Sequence, residues 1–249
     1  MAGSNGFFEA NSPFGTLTDW EPQSGGNATV TEQRASALGA DGDEIRGKGY
    51  DKREAVTGNY VSKATSGNLA IPDVGGMLNG YLLENVQVSY SNTGFPTMTA
   101  SGHKHLDGNA DANTRVYKPS VVLPATDLGA PLQIKGTDNT TVFSLTEKAA
   151  FSVRALQYQM QINHGDELKA NGSHLAGDNY DGVETLTIEF SGSGTKGTDF
   201  TVDETNWHLD SDGKNESNTG MTTQSITLTR HIPHYVAPAN SVAPANSGT

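Results

Sequence analysis

Seven histidines and no cysteine set the metal and nucleophile chemistry open to this 249-residue chain. His103 and His105 stand two apart in the string Gly102-His103-Lys104-His105. On a strand, side chains two apart share a face, and two imidazoles so placed can grip a transition metal. A third ligand would come from His231 or His234 if the strands that end at His105 and His231 lie side by side. The competing reading makes both residues ordinary polar groups at the end of a threonine-rich strand. Two histidines alone do not make a zinc site, so the sequence assigns no metal.

The oxygen ligands are no more decisive. Asp41-Gly42-Asp43-Glu44 and Asp210-Ser211-Asp212-Gly213 look like calcium loops, but neither has the ligand order and twelfth-position glutamate of an EF-hand. Turn chemistry explains both, with Asp210, Asp212 and Glu216 left as a calcium alternative. No Gly-x-Ser-x-Gly, His-Glu-x-x-His or phosphate-binding glycine loop occurs, so no catalytic residue, cofactor or enzymatic activity is expected. A carboxylate pair assembled from distant residues would escape such a search.

The elements that would position these residues read as strands. Ser91-Asn92-Thr93-Gly94 recurs as Ser217-Asn218-Thr219-Gly220, and each copy is followed by an alternating segment that ends in histidine, at His105 and at His231. This predicts either two related β-modules or two equivalent edges of one sandwich. Period-two alternation marks Val56, Gly58 and Tyr60, then Val86, Val88 and Tyr90. Phe151 and Val153 are out of phase with Leu156, Tyr158, Met160 and Ile162, which predicts one long strand broken by a β-bulge. Gly165-Asp166 reads as the following turn. Leu186, Ile188 and Phe190, then Phe200 and Val202, then Ile226, Leu228 and Ile232 complete an antiparallel all-β sandwich.

The expected organisation is an extended N-terminal arm over 1–27, a first β-module over 28–118, a Pro- and Gly-containing connection over 119–142, a second module over 143–235 and a tail over 236–249. The arm is rich in Gly, Ser, Asn and Pro, yet carries Phe7, Phe8, Phe14 and Trp20. Disordered segments are poor in aromatics, so these four read as assembly anchors that dock on the chain's own body or on a neighbour. The tail repeats Val-Ala-Pro-Ala-Asn-Ser and has no core of its own.

Sixteen basic and 28 acidic residues give a net charge of −12, which argues against a phosphate-binding surface. DNA could pass such a surface without being held. No stretch approaches the length of a membrane span, and the first residues lack a secretory pattern, so synthesis in the cytoplasm and no membrane partner are expected.

The strings Ala28-Thr29-Val30-Thr31-Glu32-Gln33-Arg34-Ala35, Asp41-Gly42-Asp43-Glu44, Tyr50-Asp51-Lys52 and Ser91-Asn92-Thr93-Gly94-Phe95-Pro96 resemble bacteriophage virion proteins, most of all tail tube subunits. That resemblance implies a β-sandwich whose arms reach adjacent subunits, assembled as stacked rings in a hollow tube. It implies as partners copies of the chain itself, other virion proteins and DNA in transit, with the virion as location. The arms equally suit a capsid decoration protein. A carbohydrate- or receptor-binding β-module would need exposed aromatic platforms, for which Trp20 and Trp207 are the only tryptophans.

Overall fold

The computed structural model describes residues 13–38, 44–91, 94–107, 115–125, 128, 131–216 and 222–232. Every regular element among them is a strand. Two antiparallel sheets enclose one core, in the manner of a β-sandwich.

The large sheet is built from β1 (Trp20–Leu38), β2 (Glu44–Ser62), β4 (Tyr81–Ser91), β5 (Thr97–His105), β9 (Ser152–Leu168), β10 (His174–Ser191), β12 (His208–Glu216) and β13 (Thr222–Ile232). Their spatial order is β1-β2-β5-β4-β9-β10-β13-β12, with the two-residue β3 (Met77–Leu78) beside β4. The small sheet, in the order β11-β8-β7-β6, comprises β6 (Val121–Val122), β7 (Leu132–Gly136), β8 (Thr141–Leu145) and β11 (Phe200–Val202).

The large sheet repeats itself. Its first four places are filled in chain order by the first, second, last and third long strand of the N-terminal half, and the next four follow the same rule in the C-terminal half. Each half is a long antiparallel strand pair, an excursion, and a second antiparallel pair whose two strands flank a Ser-Asn-Thr-Gly phrase in the sequence. Counting from that phrase, Met98, Ala100 and Gly102 of β5 correspond to Gln224, Ile226 and Leu228 of β13, and all six are buried. The two strands therefore occupy equivalent settings without touching each other.

The antiparallel pair β4·β9 joins the halves, with Val86 facing Met160, Val88 facing Tyr158 and Tyr90 facing Leu156. The long strands of 28–118 and of 143–235 thus share one sheet, and 119–142 is no bare connection, because β6, β7 and the start of β8 lie in it. Between the sheets, Val86, Val88, Tyr158, Ile188 and Leu228 pack with Ile134, Phe143, Leu145 and Phe200. Glu184 of β10 is fully enclosed and ties the layers together. It accepts hydrogen bonds from Tyr158 Oη at 2.5 Å, from the Ser120 amide at 2.6 Å and from the Ser120 hydroxyl.

The predicted bulge exists: Ala155 faces Glu189 and Val153 faces Phe190, which leaves Arg154 as the extra residue. Three expectations need correction. The first strand starts at Trp20 rather than after residue 27, because Gly25, with φ of 96°, lies in a register break on an edge strand instead of stopping it. Gly165-Asp166 continues β9, and the chain reverses at Asn171-Gly172, where glycine has φ of 85°. Asp210 to Gly213 lies within strand β12 and is not a turn.

Phe14 and Trp20 sit in this chain's own core. Phe14 packs edge-on against Tyr81, and Trp20 Nε1 donates to the Ala70 carbonyl at 2.7 Å. Phe7, Phe8, Asp41 to Asp43, His234 and the 236–249 tail lie outside the described residues.

Candidate functional site

The polar concentration of the molecule lies where the two long hairpins meet. β4 pairs with β9 only as far as Asn85, and Leu83 then turns to hydrogen-bond with Gly75 and Gly76. The end of β5 and the outer half of β9 consequently face each other across the width of one missing strand, about 10 Å as twice the interstrand spacing. His103 and His105 enter that gap from β5, His164 and Asp166 from β9, and His174 from β10.

All five side chains are buried: their exposures are 5%, 1%, 2%, 8% and 0% in that order. Asp166 Oδ1 is the hub. It lies 3.0 Å from Nε2 of His105, 3.0 Å from Nε2 of His164 and 3.3 Å from Nε2 of His174. His103 Nε2 is 3.3 Å from His105 Nε2, and His174 stacks on His105 with ring centroids 3.5 Å apart.

A ring of acceptors holds the far side of these imidazoles. Glu84, the bulged residue of β4, places Oε2 3.1 Å from His103 Nδ1. Asp51 Oδ1 is 3.6 Å from His105 Nδ1, and Asn179 Oδ1 is 2.6 Å from His164 Nδ1. Asn179 cannot reverse its amide without loss, because its nitrogen donates to the carbonyls of Gly75 at 3.1 Å and Arg115 at 2.8 Å. Gly75 has φ of 87°, and a Cβ there would meet the Arg115 carbonyl at 2.2 Å, so this cover requires glycine.

Arg53 of β2 closes the site, bonding Asp51 at 2.8 and 2.5 Å and Asp166 Oδ2 at 2.6 Å. Burial alone would raise the Asp166 pKa. The adjoining His105 and His164 rings and the Arg53 charge more than reverse that and hold it far below the ordinary carboxylate range.

Of these five residues the sequence singled out two, His103 and His105, and assigned them no metal. His103 and His105 do share a site, but their companions are His164, Asp166 and His174. His231, with its side chain 76% exposed, lies beside Asp181, because β10 separates β13 from β9. Asp210 bonds Thr229 and Asp212 bonds Gln224 along the strand pair, so these carboxylates serve β12·β13 pairing in the described structure. The outer cluster was legible only in part, since treating Gly165-Asp166 as a turn removed Asp166 from the strand that presents it.

No known protein family matches the chain, and no curated protein is significantly similar to it.

Proposed function

We propose that the chain is a self-assembling structural subunit of a bacteriophage particle, of the tail tube kind, joined edge to edge into rings. One observation carries this reading: the large sheet contains an internal seam that its two free edges could repeat. At β4·β9, the third strand of one half pairs antiparallel with the first strand of the next. Among the described residues the open edges are β12, the third long strand of the second half, and β1, the first strand of the first half. Strand direction alternates throughout, so β12 of one copy and β1 of another meet in the same antiparallel sense. Such a heterologous contact closes into a ring or continues as a filament.

Exposure supports the same reading. Residues 29–36 of β1 and 46–49 of β2 are exposed on both faces of their hairpin, an arrangement with little intrinsic stability in water. Val30 is 54% exposed, although its counterpart in β9, Met160, is buried by the internal seam. Both tryptophans are buried, so neither offers a platform for the glycan-binding reading. The proposal assigns the chain no catalytic activity.

The internal seam also supplies a register. Transferring Gln87↔Gln159 to the free edges sets Gly213 of one copy opposite Thr29 of the next. The absence of cysteine makes this directly testable with a Thr29→Cys, Gly213→Cys variant, and open space around Gly213 accommodates the new side chain. Rings or tubes by electron microscopy, cross-linked between chains under mild oxidation, are expected. A particle that stays monomeric at high concentration overturns the proposal. Assembly with cross-linking only in other registers overturns the seam.

A further inference from the structure

We propose that His103, His105, His164 and Asp166 bind one divalent transition ion of the zinc, cobalt(II) or nickel class, which pins β5 to β9 at the root of the two long hairpins.

The donor chemistry is the first support. Glu84 and the Asn179 carbonyl oxygen can only accept, so the facing Nδ1 atoms of His103 and His164 must carry hydrogen. In the neutral imidazole that leaves Nε2 as the ligand atom: His164 Nε2 lies 3.0 Å from Asp166 Oδ1, and His103 Nε2 lies 3.3 Å from His105 Nε2. These donor atoms converge on one point in a buried gap. Imidazole nitrogen with a carboxylate oxygen suits ions of this class, and acceptors behind the ligating rings are the usual way of fixing tautomer and orientation.

The dimensions agree. The four ligand atoms all lie within 4.8 Å of one another, and the closest pairs are 3.0, 3.0 and 3.3 Å apart. Two ligands at about 2.1 Å from zinc in tetrahedral array are about 3.4 Å apart, so the closest pairs already approach that spacing. Charge agrees as well. Asp51, Asp166 and Glu84 against Arg53 leave two negative charges, which a divalent ion balances while the imidazoles stay neutral.

The strands around the site are also tied to one another. The tip of the β9–β10 hairpin reaches β2, where the Asp51 amide donates to the Gly172 carbonyl at 3.0 Å. An ion here would add a cross-link between strands that no backbone ladder connects, since β4 has already turned away.

The test uses the full chain without an affinity tag, stripped with chelator and titrated with cobalt(II). Its visible spectrum reports nitrogen and oxygen ligation, and elemental analysis after zinc loading gives the stoichiometry. One ion per chain is expected, with a rise in Tm on loading. His164→Gln and Asp166→Asn should each weaken binding at least tenfold, while His231→Gln, at an exposed histidine, should leave it unchanged. Circular dichroism of the metal-free variants separates lost binding from lost folding, and His103→Gln, on the other strand, provides a second folded variant. Absence of stoichiometric binding, or a cobalt spectrum that persists in folded His164→Gln and disappears in His231→Gln, overturns the proposal.

Discussion

Glu184 shows how one buried carboxylate can organise two layers. Its partners, Tyr158 from the large sheet and Ser120 from the segment that leads into β6, exist as donors only while they stay protonated. Burial, followed by the Glu184 charge, pushes the Tyr158 pKa well above its ordinary value, and burial raises that of Tyr90, whose hydroxyl donates to the Pro124 carbonyl at 2.6 Å. A folded-state pKa above the unfolded value gives stability that is complete below the unfolded value and is lost as pH rises through the folded one. The unfolded value for tyrosine is about 10. Denaturant midpoints should therefore hold up to about pH 10 and decline above it. Tyr158→Phe should soften that decline and lower stability at neutral pH by about 1–3 kcal/mol, since it leaves Glu184 one donor short. An alkaline decline identical in wild type and variant would remove Tyr158 from this account. At this scale the sequence was legible wherever alternation marked a residue as inward. It was silent on Glu184, because a charged residue inside an alternating strand carries no mark of burial until its partners from distant segments are in place.

The strands were legible where a period of two ran uninterrupted, as in β4 and the inner half of β9, and their limits were lost where glycine stood inside a strand. Gly25 and Gly165 both read as breaks, yet pairing with a neighbour holds the chain extended through each. The aromatic arm divides in the same way. Trp20 is the first residue of β1 and Phe14 packs on Tyr81, so removing residues 1–27 would destroy part of the core, with a cost of about 3–5 kcal/mol for a buried tryptophan alone. Removing residues 1–12, which carry Phe7 and Phe8, is the cleaner test of an arm that reaches a neighbour. If those two rings anchor a contact with a neighbour, the shortened chain should keep its Tm while assembly measured by light scattering falls. Unchanged assembly would assign no role in it to residues 1–12. The exposed end of the β1–β2 hairpin can be treated likewise. Replacing residues 35–48 by a two-residue Asn-Gly turn, flanked by the paired Arg34 and Gly49, should spare the fold, because those positions contribute no core side chain among the described residues, and should weaken assembly.

Across the whole molecule the decisive sequence signal was four residues long. The paired Ser-Asn-Thr-Gly phrases stand in the sequence between strand pairs in equivalent positions, and the strand order of the two halves repeats. What could not be read was that the halves would fuse into one sheet, because strand pairing between β4 and β9 leaves no local pattern in either. The net charge of −12 gives a further expectation for the proposed conduit. Assembled particles should not retard duplex DNA in a gel at physiological salt, since a surface poor in Lys and Arg releases few counterions on contact. Clear retardation would refute a passage role and favour a surface that holds nucleic acid.

The duplicated sheet has a mechanical consequence. A ring closed through β12 and β1 would contain two kinds of joint in strict alternation, one inside each chain and one between chains. Thr229 and His231 stand where His103 and His105 stand in the first half, so only the internal joint has the paired histidines. Stiffness would then vary around the circumference with a period of one chain rather than one half-chain. Under bending or internal pressure the wall would yield at every second joint, and such a tube would fail by separating whole subunits while each subunit's own sheet stayed closed.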